Sequence, residues 1–119
     1  RLGTRRNKLT FMTECVFCKI ANGEIPATLV AESEHSIAFN DISPAQPVHV
    51  LVVPRQHFKD VAELASNNDA ILVDLIKLGT EVASKLSTGS FRLQFNTGAE
   101  AGQTVFHAHG HVTSRTPRN

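Results

Sequence analysis

An α+β domain built on an antiparallel sheet is the fold class this sequence predicts, and three observations predict it. Short β-patterned segments come first and last, a continuous aliphatic run marks a central strand, and one amphipathic helix stands between them. Ala27 to Glu32 and Ser36 to Asp41 read as strands around the polar Ser33, Glu34 and His35, which predicts a hairpin. Ser43, Pro44 and Pro47 break the chain. Val48 to Val53 then runs as β-branched and aliphatic residues up to Pro54, the pattern of a strand buried on both faces. From Asp69 onward, Ile71, Leu72, Leu75, Ile76, Leu78, Val82 and Leu86 recur at helical spacing, with Asp74, Lys77, Glu81 and Lys85 opposite. Asn67 or Asn68 is placed to cap that helix, and Gly89 punctuates the chain beyond its end. Phe91, Leu93 and Phe95 alternate with Arg92 and Gln94 as a strand, Gly98 and Gly102 mark a loop, and a last strand runs through His107 to Val112. Strands, one long helix and further strands favour antiparallel pairing over a doubly wound parallel sheet.

The 119 residues suffice for one domain with one core, at roughly 100–200 residues per domain. A charged fraction of 19% is ordinary, and no apolar run approaches the roughly 18 residues of a membrane span. Twelve basic residues stand against eleven acidic ones. Arg1, Arg5, Arg6 and Lys8 all fall within residues 1–11, which leaves eight against eleven and a net of −3 for the remainder. A body of that charge is a poor neutraliser of phosphate backbones, so nucleic acid is excluded as the main partner. The only Met is residue 12 and periodic sequence begins just after it, so residues 1–13 read as a leader, an expression remnant or a flexible arm, with the domain over 14–119. Two cysteines give no disulfide framework, and the cytoplasm is the expected compartment.

The densest chemistry is Phe106, His107, Ala108, His109, Gly110, His111, Val112. On a strand, alternate side chains share a face, so three imidazoles line up about 6.5–7 Å apart while Phe106, Ala108, Gly110 and Val112 face the other way. Neutral imidazoles serve as nucleophile, proton carrier or metal ligand, and an all-histidine metal site is the competing reading. Just upstream, the loop from Asn96 to Thr104 delivers an amide, a hydroxyl and backbone donors of the kind that suit phosphoryl oxygens.

The order Asn96, Gly98, Gly102, Gln103, Thr104, His107, His109, His111 resembles the histidine triad (HIT) family. The resemblance runs from about Cys15 to Arg118 and includes Cys15-Val16-Phe17-Cys18-Lys19-Ile20, Gly23-Glu24-Ile25-Pro26, Ala38 to Pro44, and His49-Val50-Leu51-Val52-Val53-Pro54. These segments look like the Hint branch in its bacterial type. The likeness implies an antiparallel sheet of about five strands, one long and one short helix, and a homodimer forming a continuous sheet through Leu75 to Leu86 and Phe91 to Phe95. It implies a purine-nucleotide phosphoramidase or hydrolase acting at the α-phosphate through a nucleotidyl-histidine. His109 would be the nucleophile, His111 the partner at the phosphate, His107 the supporting member, and Asn96, Thr104 and the backbone at Gly102, Gln103 and Val105 the phosphoryl donors. Asp41 would hold the ribose, and Val16, Phe17, Ile20, Phe39, Ile42 and Leu51 would shape the purine slot, although composition alone places those six in a core.

Cys15 and Cys18 read as half a zinc site, a redox pair or two unrelated thiols. Zinc needs two further ligands; the resemblance implies His49 and His107, making the metal structural. His35 and His57 lie in polar stretches and read as solvent-facing. Gly110 departs from the family's hydrophobic residue at that place, and the chain lacks Trp, which leaves the leaving group open. A dinucleoside polyphosphate hydrolase and a non-catalytic nucleotide- or zinc-binding regulatory module are the alternatives.

Overall fold

Five strands of the computed structural model form one antiparallel sheet, and the structure describes residues 15–118. The leader expected over residues 1–13 therefore lies outside the described residues. In chain order the elements are α1 (Val16–Ala21), β1 (Leu29–Glu32), β2 (Ser36–Asn40), β3 (Val48–Pro54), α2 (Val61–Asn67), α3 (Asp69–Leu86), β4 (Arg92–Phe95), a short 3-10 turn (Ala99–Ala101) and β5 (Gly110–Ser114). The sheet order is β1-β2-β3-β5-β4, so the aliphatic β3 is central and every one of its residues is buried. The expected α+β class, the strand count and the long helix are all present. Among the described residues three α-helices stand where two were expected.

Register sorts the side chains of the sheet into two faces. Val50 pairs with Val112 and Val52 with Gly110, and on this face Val48, Val50, Val52 and Val112 meet Ile71, Leu75, Leu78 and Val82 of α3. Each such buried side chain contributes about 1.5–3 kcal/mol. Asn68 caps α3 by accepting from the Ile71 N–H at 3.0 Å, and it also ends α2. Asp60 starts α2 by accepting from the Glu63 N–H at 2.8 Å, while Glu63 accepts in turn from the Lys59 N–H at 2.7 Å. On the opposite face, Ile37, Phe39, Leu51 and Val53 cluster with Phe17 of α1. Leu51 pairs with Phe39 on one side and with His111 on the other, and His111 pairs with Gln94, so one row crosses the sheet on the histidine side.

β5 begins at Gly110, three residues later than the expected strand start at His107. The ladder stops there because the end of β3 has nothing left to offer. Pro54 has no N–H, and its carbonyl is taken by the His107 side chain at 2.8 Å. Ahead of β5 the chain is held instead by the Ala108 N–H donating to the Phe58 carbonyl at 2.7 Å.

Gly110 is required by its neighbours. A Cβ there would sit 2.9 Å from Leu93 Cδ1 and 3.0 Å from Phe95 Cε1, so these two side chains fill the space that the family's hydrophobic residue would use. Gly110→Ala is expected to cost about 1–3 kcal/mol by overpacking, read as a lowered midpoint of denaturant unfolding with an unchanged slope.

Candidate active site

His107 and His109 stand edge-to-face on Phe17 and His111 lies against His109, so the three imidazoles share the Phe17 side even though the first two precede β5, with Ala108 and Val112 buried on the α3 side. The His109 and His111 ring centroids are 5.0 Å apart, closer than the strand rise because the rings tilt toward each other. Their hydrogen bonds fix which nitrogen carries each proton. A carbonyl oxygen only accepts, so the 2.7 Å contact between His109 Nδ1 and the His107 carbonyl places the proton on Nδ1 and the lone pair on Nε2. Burial lowers the His109 pKa from its ordinary value, against the opposing effects of that bond and of Asp41, and so favours the neutral ring. Phe17 stands edge-to-face on it at 5.0 Å and holds its plane.

His111 is set by a second chain of bonds. The Ala45 N–H donates to His49 Nδ1 at 2.9 Å, which leaves the His49 proton on Nε2, and that atom lies 3.0 Å from His111 Nδ1. His111 thus accepts at Nδ1 and presents an Nε2–H donor. Burial, then the neighbouring His109 and His49, lower its pKa. The two rings therefore offer complementary functions at neutral pH: a nucleophilic lone pair on His109 and a hydrogen-bond donor on His111.

The loop from Asn96 to Val105 is braced by a buried side chain. Gln103 donates through Nε2 to the carbonyls of Lys59 at 2.7 Å and Val105 at 3.0 Å, and its Oε1 accepts from the Gly98 N–H at 2.8 Å. Its side chain is spent on the loop, so only its backbone is left for a ligand. Gly98 and Gly102 have φ of 88° and 96°, in the left-handed region that favours glycine, and a Cβ on Gly102 would come within 3.2 Å of Asn96 Nδ2. Asn96 Oδ1 accepts from Gln94 at 3.1 Å, which leaves its amide N–H groups for other partners. Thr104 is exposed.

For the nucleoside, the structure brings together Phe17, Phe39 and Leu51 as a buried floor, with Ile20 and Val105 packed against it and Val16 exposed at the start of α1. Ile42 stands apart, 99% exposed and in no apolar contact cluster. Asp41 follows β2, accepts from the Ser43 N–H at 2.7 Å, and lies 3.5 Å from His49 Nε2.

Cys15, Cys18, His57 and His107 converge at the start of α1, with their Sγ and Nδ1 atoms all within 4.8 Å of one another. His107 Nδ1 is 3.3 Å from Cys15 Sγ and 3.5 Å from Cys18 Sγ; His57 Nδ1 is 3.3 Å from Cys18 Sγ and 3.2 Å from His107 Nδ1. The His107 Nε2–H donates to Pro54, so Nδ1 turns its lone pair into the cluster. Burial holds His107 down to about 4, with the Pro54 bond opposing and His57 and His109 assisting, so its ring is neutral and ready to ligate. The Cys18 thiol is pushed up to about 12, first by burial and then by Cys15 and Glu24. A buried Cys18 thiol whose ionisation is opposed by burial and by the neighbouring Cys15 sulfur, beside the imidazoles of His57 and His107, forms a donor set that a divalent cation suits, and it fits a closed tetrahedral zinc site.

A family model described as scavenger mRNA decapping enzyme C-term binding matches residues 14–118. An uncharacterized HIT-like protein of Methanocaldococcus jannaschii is 42% identical over 101 residues, which cover 85% of this chain and 78% of the relative. Protein HitA of Neisseria gonorrhoeae is 40% identical over 102 residues, covering 85% and 95%. Among solved structures, a HIT family hydrolase from Clostridium thermocellum superposes with a TM-score of 0.77 at 46% identity, covering 83% of this chain and 88% of that one. This chain belongs to the histidine triad family.

Within this histidine triad protein, one expected ligand is corrected. His49 is not in the metal cluster; His57 takes that place. His49 pairs with Thr113, six residues along the chain from His107, and its ring is engaged by His111 and Ala45. His57 had read as solvent-facing because Arg55, Gln56, Lys59 and Asp60 surround it in sequence. It follows the end of β3, and antiparallel pairing of β3 with β5 brings that end beside the approach to Gly110, where His107 lies. That pairing is the signal that would have found it.

Proposed function

We propose that this protein hydrolyses purine nucleotide conjugates at the α-phosphate through a nucleotidyl intermediate on His109. The observation that carries the reading is the His109 Nε2 lone pair, fixed by the Nδ1–H bond to the His107 carbonyl and set beside the His111 donor. His109 Nε2 attacks phosphorus, the bond from phosphorus to the leaving group breaks, and the electron pair departs with that group, met by the His111 Nε2–H. Water then attacks the same phosphorus, releases His109 and supplies the proton that the leaving group finally carries. Asn96, Thr104 and backbone N–H groups of the Gly102 to Val105 segment hold the phosphoryl oxygens, a donor arrangement that steadies charge as it develops. Zinc, held by Cys15, Cys18, His57 and His107, supplies a structural crosslink when bound and leaves His107 Nε2 on Pro54, which keeps the backbone of the triad in place.

Turnover of an adenosine phosphoramidate, absent in His109→Ala, is the test. Asp41 is assigned to the ribose hydroxyls, since a carboxylate accepts two hydrogen bonds and this one directly follows β2, two residues after Phe39. Asp41→Ala is expected to weaken binding of a ribonucleoside monophosphate by roughly 10-fold, as for a lost charge-assisted bond, and binding of the 2′,3′-dideoxy analogue by much less. Equal weakening would assign Asp41 to structure alone.

Pairing with a second copy is supported by the free edge of β4 and by the exposed Val73, Ile76 and Phe91. In the expected interface segment Leu75, Leu78 and Val82 are already buried within the protomer, so those three exposed residues are the apolar groups available. Two free cysteines placed as metal ligands support a reducing, cytoplasmic compartment.

A further inference from the structure

His107 serves two sites at once. Its Nδ1 faces Cys15, Cys18 and His57, and its backbone carbonyl accepts the Nδ1–H that fixes the His109 tautomer. Both histidines precede β5, and the ladders to β3 and β4 begin only at Gly110. The backbone between them is held instead by the Ala108 N–H on the Phe58 carbonyl at 2.7 Å, by the His107 ring on the Pro54 carbonyl at 2.8 Å, and through the other ring nitrogen by the cysteine cluster. What happens to the thiols is therefore transmitted to the nucleophile.

The two thiols are placed to bond to each other. Cys15 caps α1, its sulfur accepting from the Cys18 N–H at 3.4 Å, and Cys18 stands in the first turn. Cα atoms three residues apart on a helical turn are about 5 Å apart, inside the roughly 4.4–6.8 Å that a disulfide bridges. The two sulfurs lie within 4.8 Å of one another. Cys18 is buried whereas Cys15 is half-buried, so Cys15 is the sulfur that a small solute reaches first. A cavity of about 400 Å³ with Gln56, His57 and Glu63 in its walls gives a second approach to the cluster, at His57.

We propose that Cys15 and Cys18 form an oxidation switch that acts on His109 through His107, with a small hydroperoxide as the oxidant. The inference rests on the zinc site and on the reading of His109 as nucleophile. The Cys15 thiolate attacks the terminal peroxide oxygen and the O–O bond breaks; the departing oxygen keeps the electron pair and takes a proton from water, leaving a sulfenic acid. The Cys18 thiolate then attacks the Cys15 sulfur and expels hydroxide, which takes a second proton. The two sulfurs thus give two electrons to one hydroperoxide, which ends as one water and one alcohol, or as two waters when it is hydrogen peroxide. A disulfide is no longer a thiolate donor, so the site keeps only His57 and His107 and releases its ion. His107 loses that anchor, its carbonyl shifts, and His109 loses the bond that keeps its lone pair on Nε2. Misplacing a reacting group by about 1 Å costs on the order of 10²-fold. Thiol reductants reverse the bond, so in a reducing compartment the oxidised state is transient.

The test titrates zinc-loaded wild-type protein with hydrogen peroxide. A metallochromic dye should record one zinc released for each disulfide formed, and peptide mapping should find that disulfide between Cys15 and Cys18. Nitrogen NMR of the labelled imidazoles should show His109 leaving the Nδ1–H form, and kcat on an adenosine phosphoramidate should fall at least about tenfold. Dithiothreitol with added zinc should restore all four. Inactivation with zinc retained and both thiols still titratable overturns the switch, as does the absence of a disulfide at excess peroxide. A disulfide and zinc release that leave the His109 signals and kcat unchanged overturn the link through His107. Protein that holds no zinc before treatment contradicts the premise. Reduced, zinc-loaded protein that turns over no substrate defeats the nucleophile reading alone, since zinc release, the disulfide and the His109 signals still decide the switch.

Discussion

His109→Ala is expected to lower kcat on an adenosine phosphoramidate by on the order of 10⁴-fold or more, because deleting a nucleophile removes the covalent route altogether. Thr104→Ala removes one donor to the phosphoryl oxygens and is expected to cost about 10²–10³-fold or less. Steady-state kinetics on the two variants check the order; comparable losses would sink the assignment. The wild-type rate should also show a displaced acid limb. Attack needs the neutral ring, and burial lowers the His109 pKa, so activity persists below the ordinary histidine value of 6.5 and is lost as pH falls through the lowered one.

The metal cluster carries the second large effect. Elemental analysis of protein purified without a histidine tag should find close to one zinc per chain, and Cys15→Ser should lose it. The site joins α1 to the end of β3 and the approach to β5, so its loss is expected to cost on the order of 3 kcal/mol or more, roughly 10–20 °C in Tm for a domain of this size. His57→Ala should lose zinc and His49→Ala should keep it. The opposite pair of results contradicts the ligand set read from the structure. Full metal occupancy and unchanged Tm in Cys15→Ser would show the thiols to be incidental.

What the sequence made legible follows from how far each signal reaches. Helix α3 repeats its apolar face over 18 residues, and β3 is apolar throughout, so both stand out from the chain alone. Helices α1 and α2 have six and seven residues, too few turns for a period to show, and their ends are set by the Cys15 and Asp60 caps. The triad was legible because strand alternation is local: it put three imidazoles on one face before any partner was known. Its tautomers were not, since the His107 carbonyl, Ala45 N–H and Pro54 carbonyl that fix them come from backbone geometry. The same distinction explains the exchanged histidines. His49 and His57 differ by eight positions in the chain, and only the register of β3 against β5 sends one to His111 and the other to the thiols. Gln103 entered the site through the resemblance as a backbone donor only; the bonds of its side chain to Gly98, Lys59 and Val105, which brace the loop, join residues up to 44 positions apart and were not legible in the chain.

The central claim is that His109 Nε2 takes the nucleotidyl group, and one measurement addresses it directly. A single turnover of wild-type protein with an adenylyl substrate, quenched at alkaline pH where a phosphorus–nitrogen bond survives, is digested and mapped by mass spectrometry. The account predicts one adenylyl adduct, on His109, that forms and decays at rates consistent with turnover. Turnover without any adduct, or an adduct on His111 or another residue with His109 unmodified, would contradict it.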